Sequence, residues 1–174
     1  MTLITTNTSS GAATSAFTSS IDSTYKLYIF KFIDVNPATD NLSFTFGAST
    51  DGGSNYNLVV TTTMIVSYHD EAESSAALSY DDTHDATQTA TPTLCGTLGN
   101  GADECCAGTL LLFDPSNTTY MKHFICTIHE YHAGNYAQTV HTGGYINSAA
   151  DVDAIQFKMS DGNLDAVIKM YGVG

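Results

Sequence analysis

The fold is decided by the stretch Tyr25-Lys-Leu-Tyr-Ile-Phe-Lys-Phe-Ile33, followed by Asp34-Val-Asn-Pro-Ala-Thr-Asp-Asn41 and Leu42-Ser-Phe-Thr-Phe46. Large residues recur at every second position on both sides of the proline-bearing segment, and this period suits a pleated strand with one packed face. The stretch therefore predicts a strand, a turn and a second strand, arranged as a hairpin-like unit. Nothing in it indicates catalysis.

Further strands follow at intervals typical of an all-β protein. In residues 119–131, which read as one long strand, Phe124, Cys126 and Ile128 fall on one face and His123, Ile125, Thr127 and His129 on the other, so the first three are expected on the inner face. Asp51-Gly52-Gly53 is a strong hairpin-turn signal. The segments 153–160 and 165–171, separated by a short turn, predict a C-terminal hairpin.

Spacing and composition together predict the fold class. We expect an all-β antiparallel β-sandwich of jelly-roll type with about eight to ten strands. Residues 1–20 are small and polar and are expected to form a flexible or assembly-ordered N-terminal arm. Residues 21–174 are expected to form a single β-sandwich domain, since the chain has the length of one domain.

Charge is the most extreme feature of the composition. The 174 residues include 18 Asp and Glu against five basic residues, all of them Lys, for a net charge of −13. Such a chain repels phosphate backbones and anionic lipid surfaces, so we expect neither nucleic-acid binding nor membrane insertion. No apolar run approaches the length of a membrane helix, and the N-terminal residues do not resemble a signal peptide.

The four cysteines offer several chemical states. Cys95, Cys105 and Cys106 lie in one turn-rich segment, while Cys126 lies in the long strand. A disulfide from Cys95 to either Cys105 or Cys106 is sterically conceivable, but cytoplasmic synthesis favours free thiols. Zinc ranks lowest, because paired Cys-x-x-Cys knuckles are absent.

No pattern of residues predicts an enzyme. His129-Glu-Tyr-His132 is one residue shorter than the helical zinc-protease motif, and residues three apart in a strand point to opposite faces. The acidic stretches at 69–71 and 81–85 lack the spacing of an EF-hand, leaving only adventitious calcium. Nucleophile elbows and nucleotide-binding loops are missing. We therefore expect no catalytic residues and no cofactor.

Several short motifs, in a fixed order, carry a family resemblance. They are Phe17-Thr-Ser-Ser-Ile-Asp-Ser-Thr-Tyr25, Phe32-Ile-Asp-Val-Asn-Pro-Ala-Thr-Asp40, Ala48-Ser-Thr-Asp-Gly-Gly-Ser-Asn-Tyr56, Tyr68-His-Asp-Glu71, Phe113-Asp-Pro-Ser-Asn-Thr-Thr-Tyr120, Lys122-His-Phe124, Ile155-Gln-Phe-Lys-Met-Ser160 and Ile168-Lys-Met-Tyr-Gly172. In this order they resemble small structural proteins encoded by tailed phages of marine bacteria, over the chain from about residue 21 onward. The segment 95–106 departs from that pattern.

The resemblance implies a virion component, either a capsid decoration protein or a protein of the tail and its fibres. Synthesis in the host cytoplasm, a final location in the virion, and partners that are copies of the chain and other virion proteins are expected from it. The alternative is a receptor- or carbohydrate-binding module of a tail fibre that contacts a host surface glycan. The tyrosines that would stack on a sugar ring in that case are Tyr56, Tyr80, Tyr131 and Tyr136.

Overall fold

The computed structural model describes residues 1–174 and consists of strands, turns and loops, with no helix. Twelve strands follow one another along the chain. They are β1 (Thr2–Ala12), β2 (Ser15–Phe17), β3 (Leu27–Pro37), β4 (Leu42–Ser49), β5 (Val60–Asp70), β6 (Ala76–Tyr80), β7 (Thr93–Leu98), β8 (Cys106–Phe113), β9 (Lys122–His132), β10 (Tyr136–Ile146), β11 (Ala154–Met159) and β12 (Leu164–Val173).

All neighbouring strands pair antiparallel, and the pairing divides the sheet into two parts. The eight-stranded part has the order β1-β12-β3-β8-β9-β10-β5-β6, and the four-stranded part has the order β7-β4-β11-β2. A single register pair, Leu98 with His132, joins the two parts and makes one nearly closed sheet. The all-β antiparallel class is thereby confirmed. The strand count is twelve rather than eight to ten, and the jelly-roll connection stays a prediction.

The core lies between the two parts and is rich in aromatic rings. Phe157 of β11 contacts Phe30 and Phe32 of β3 and Phe44 of β4, with ring centroids 5.2, 5.0 and 5.9 Å away. All four rings are 2% exposed or less. Because these strands belong to both parts of the sheet, the ring cluster forms an apolar contact between them. The expected inner face of β9 is also confirmed, since Phe124, Cys126 and Ile128 are buried.

The strands of the opening stretch form as expected, but they do not pair with each other. β3 pairs with β12 and β8, whereas β4 pairs with β11 and β7. The hairpins expected at Asp51-Gly52-Gly53 and at the C-terminus are also wrong. In both places the turn carries the chain from one part of the sheet to the other, so the two strands it connects do not pair. Turn-forming residues predict that the chain reverses direction, but they do not predict in which part of the sheet the next strand lies.

Residues 1–20 are ordered within the single chain. β1 pairs with β12 along most of its length, and β2 pairs with β11 through Ser15, Ala16 and Phe17. Phe17 is buried against Phe30 at a centroid distance of 5.2 Å. The segment expected as an arm thus supplies two of the strands that raise the count to twelve.

Candidate functional site

The eight-stranded part of the sheet has one face on the core and one face on solvent. In β9, buried and exposed residues alternate strictly from Lys122 to Glu130. The antiparallel register extends this alternation to β8 and β10, and from there to β3, β12 and β5. These six strands therefore share one outward-facing surface.

Four rows of side chains cross this outward surface. Two rows are continuous from β12 to β5: Tyr171, Ile29, Leu111, Ile125, Gly143 and Thr63; and Lys169, Lys31, Thr109, Thr127, His141 and Ile65. The two outer rows are each paired in two segments: Val173, Leu27 and Phe113 beside His123, Tyr145 and Thr61; and Val167 and Ile33 beside Ala107, His129, Thr139 and Ser67. None is an acid, in a chain with 18 acidic residues. We call this surface the acid-free face.

The acidic residues are excluded from this face by their positions in the chain. Only Asp34, Asp70, Glu130 and Asp165 lie within strands, and the other acids occupy turns and loops. Glu130 points inward and is buried, while the three aspartates lie near the same end of the sheet, beyond the last row. The result is a surface without acids, about half of whose side chains are apolar, in the middle of a strongly anionic protein.

The charged groups on the acid-free face are basic. Lys31 and Lys169 are directly opposite each other in the β3–β12 register, a placement that costs free energy because like charges repel. Neither forms an ion pair, and the Lys31 Nζ lies 5.7 Å from the centroid of the Tyr171 ring. Histidine and threonine also pair across strands, with His129 Nδ1 2.9 Å from Thr139 Oγ1.

A cleft opens at the end of the acid-free face that carries the aspartates. It has a volume of about 420 Å³, and its floor includes the small residues Ala107 and Ala137, which flank β9. Tyr131 of β9 lies opposite Ala137, whereas Ala107 lies opposite His129, two residues earlier in β9. The remaining lining residues are His69, Asp70, Glu71, Asp103, Cys105, His129, Glu130 and Tyr136. Aromatic, imidazole and carboxylate groups thus meet in one concave site.

The structure brings together two of the four tyrosines predicted to stack on a ligand. Tyr131 and Tyr136 both line the cleft. Tyr80 lies on β6, where its hydroxyl donates a 2.5 Å hydrogen bond to Asp85. Tyr56 packs beneath Gly47 and Gly53, and its hydroxyl is buried without a partner.

A buried acid lies beneath the acid-free face, and the sequence analysis did not single it out. Glu130 Oε1 accepts a 2.6 Å hydrogen bond from Gln138 Nε2, while Oε2 has no partner. Burial raises the pKa of Glu130 to about 7, and Gln138 and the nearby Cys95 thiol oppose that rise. Extending the alternation of β9 two residues beyond Ile128 would have placed this acid on the inner face.

The predicted cysteines fall on different sides of the sheet. Cys105 is half-buried and lines the cleft, whereas Cys95 and Cys106 are fully buried. The Sγ atoms of Cys95 and Cys106 are 3.9 Å apart. The thiol contact with Cys106, together with burial, raises the pKa of Cys95 well above its ordinary value. All four cysteines are free thiols in the structure.

The remaining histidines do not assemble into a metal site. His129 faces outward, whereas His132 packs against Tyr136 with ring centroids 5.3 Å apart. His84 Nδ1 is 2.8 Å from an Asp81 carboxylate oxygen. No group of three or more His, Cys, Asp and Glu side chains is arranged to hold a metal ion.

Comparison with protein-family models and with curated proteins finds no match to the chain. The fold also contains no helix of the length and apolar character that crossing a membrane requires. The features that bear on function are therefore the acid-free face, the cleft and the family resemblance of the sequence motifs.

Proposed function

We propose that the chain is a non-enzymatic structural protein that associates with copies of itself through the acid-free face. The observation that carries the proposal is the contrast between this face and the rest of the molecule. Copies with a net charge of −13 repel one another, and a face without acids is where that repulsion is weakest.

The composition of the face supports an interface between proteins. Large apolar side chains such as Ile65, Phe113 and Ile125 are 36–52% exposed in the single chain. Contiguous exposed apolar surface is typical of interaction sites, and a two-fold axis can bring this face of one copy against the same face of a second.

The size of the face also fits a stable interface. Six strands spaced roughly 4.8 Å apart and four rows spaced about 6.7 Å apart span on the order of 750 Å². Stable complexes bury about 800 Å² on each partner. The acid-free face is thus close in size to one side of a stable interface.

The resemblance of the sequence motifs to phage structural proteins supports a proposal for where this self-association takes place. We place the copies on the exterior of a phage particle, packed on capsid or tail with other virion proteins. The location and copy number of the chain in purified particles test this setting. Many copies on the head indicate decoration, a few at the tail indicate adhesion or tail assembly, and absence from particles contradicts it.

Ile125→Glu is expected to weaken self-association at least about tenfold, because it inserts an anion into the centre of an apolar interface. Ile125 is 52% exposed, so the fold of the single chain should tolerate the change. Sedimentation velocity over a range of protein concentrations measures the effect.

Ser160→Glu is the matched control for Ile125→Glu. It adds the same charge at an exposed residue that follows β11, away from the acid-free face, and should leave the association unchanged. A wild-type chain that stays monomeric at high concentration, or an Ile125→Glu variant that associates normally, would contradict the proposal.

The cleft favours a second function, binding of a host surface glycan. Its volume of about 420 Å³ lies within the range of small-ligand sites, and Tyr131 offers a ring beside carboxylates that can accept hydrogen bonds from hydroxyl groups. This arrangement would suit the alternative of a receptor- or carbohydrate-binding module.

Tyr131→Ala tests the glycan hypothesis directly. Loss of a stacking ring should weaken binding to any glycan found on an array by about tenfold or more. Tyr120→Ala, which removes a 70% exposed ring outside the cleft, should have no effect. Equal binding by wild type and Tyr131→Ala would exclude the cleft as the glycan site.

A further inference from the structure

Two buried cysteines lie where the two parts of the sheet meet. Cys95 belongs to β7 in the four-stranded part, and Cys106 is the first residue of β8 in the eight-stranded part. Only the register pair of Leu98 with His132 joins the backbones of the two parts. The cysteine pair therefore spans a junction that has little backbone hydrogen bonding of its own.

The geometry of the pair selects one disulfide among those that the sequence allows. The Cys95 and Cys106 Sγ atoms are 3.9 Å apart, and a disulfide bond is about 2.0 Å long, so the two side chains must rotate toward each other to form it. Cys105 lines the cleft on the opposite face of the sheet. Cys126 lies opposite Leu110 in the β8–β9 register, whereas Cys106 lies opposite Glu130, four residues further along β9.

We propose that Cys95 and Cys106 form an intramolecular disulfide under oxidising conditions and so join the two parts of the sheet covalently. Because both thiols are buried in the folded chain, they are oxidised as the chain refolds with hydrogen peroxide present. One thiolate sulfur attacks a peroxide oxygen, the O–O bond breaks, and a sulfenic acid forms, while the departing hydroxide takes up the thiol proton as water. The second thiol sulfur then attacks the sulfenic sulfur, the S–O bond breaks, and a second water leaves. Two thiols are oxidised and one peroxide is reduced.

The disulfide would change stability more than shape. It closes a loop of about ten residues, which restricts the unfolded chain, while the folded chain already holds the two sulfur atoms in contact. The expected result is a rise in the melting temperature by roughly 5–10 °C. This inference concerns the single chain and does not depend on self-association or on a phage particle.

Oxidation of the purified protein tests the proposal. After the denatured chain is refolded with a stoichiometric amount of hydrogen peroxide, we expect the intact mass to fall by about 2 Da and the number of reactive thiols in the denatured chain to fall from four to two. Peptide mapping should find Cys95 linked to Cys106. A reducing agent should reverse both the mass change and the rise in melting temperature.

Single variants separate this pair from the alternatives. Cys106→Ser should abolish the cross-link, whereas Cys105→Ser and Cys126→Ser should retain it. The proposal is overturned if the four thiols stay reduced, if the mapped disulfide contains Cys105 or Cys126, or if it joins two chains. It is also overturned if the linked chain melts no higher than the reduced one.

Discussion

Glu130→Gln is expected to stabilise the protein by on the order of 2–3 kcal/mol at pH 8 and to have little effect near pH 5. The wild-type carboxyl is fully buried, has one hydrogen-bond partner, and has its pKa raised to about 7 by burial. Glutamine has the same shape and can accept the hydrogen bond from Gln138 without carrying a charge.

The direction of the pH dependence follows from proton binding. Between about pH 4.5 and pH 7, the folded state holds a proton on Glu130 that the unfolded state has released. The free energy of unfolding contributed by this group therefore falls as the pH rises through that window, and above pH 7 the folded state carries a buried anion. The difference between the variant and the wild type should grow over the same window.

Denaturant unfolding at a series of pH values measures this difference. Asp161→Asn, which neutralises an exposed acid in the turn between β11 and β12, is the control, and its difference from wild type should not vary with pH in this way. A Glu130→Gln variant that is less stable than wild type at pH 8 would show that the ionised Glu130 has a favourable partner. It would contradict the expectation that burial of this anion destabilises the folded state.

Phe157→Ala is expected to lower the free energy of unfolding by about 4 kcal/mol. Phe157 is fully buried and contacts rings from β2, β3 and β4, so alanine would leave a cavity at the centre of the core. Because these rings come from both parts of the sheet, the surroundings cannot easily collapse into the space. The midpoint and slope of denaturant unfolding give the loss.

A graded series distinguishes the cavity from a general loss of apolar area. Phe157→Leu retains part of the volume and should cost about 1–2 kcal/mol, while Tyr120→Ala, at a 70% exposed position, should stay within about 0.5 kcal/mol of wild type. A loss below about 1 kcal/mol for Phe157→Ala would show that the ring cluster does not hold the two parts together.

Much of the local structure could be predicted from the chain, and the pairing of strands could not. The alternation of Phe124, Cys126 and Ile128 identified both the strand and its buried face. The turns after β3, β4 and β11 were recognised as reversals, yet each one leads to the other part of the sheet. Local φ and ψ preferences define a reversal, whereas the choice of layer depends on partners that are distant in sequence.

The candidate sites show the same division. Four tyrosines were predicted to stack on a glycan, but only the register places Tyr131 opposite Ala137, next to the pair of His129 and Ala107, where the cleft opens. The acid-free face likewise could not be predicted from the sequence, because its residues come from six strands that are separate along the chain. Each strand contributes only a few outward residues, and the absence of acids becomes evident when the strands are side by side.

The sequence alone determined that this protein is all-β, strongly anionic and without recognisable catalytic motifs, because period-two alternation and charge are properties of local segments and of the whole composition. The tertiary structure decided which strands pair, which tyrosines share a cleft, and that Cys95 contacts Cys106 across the junction of the sheet. These depend on long-range burial, where side chains far apart in the chain compete for the same core.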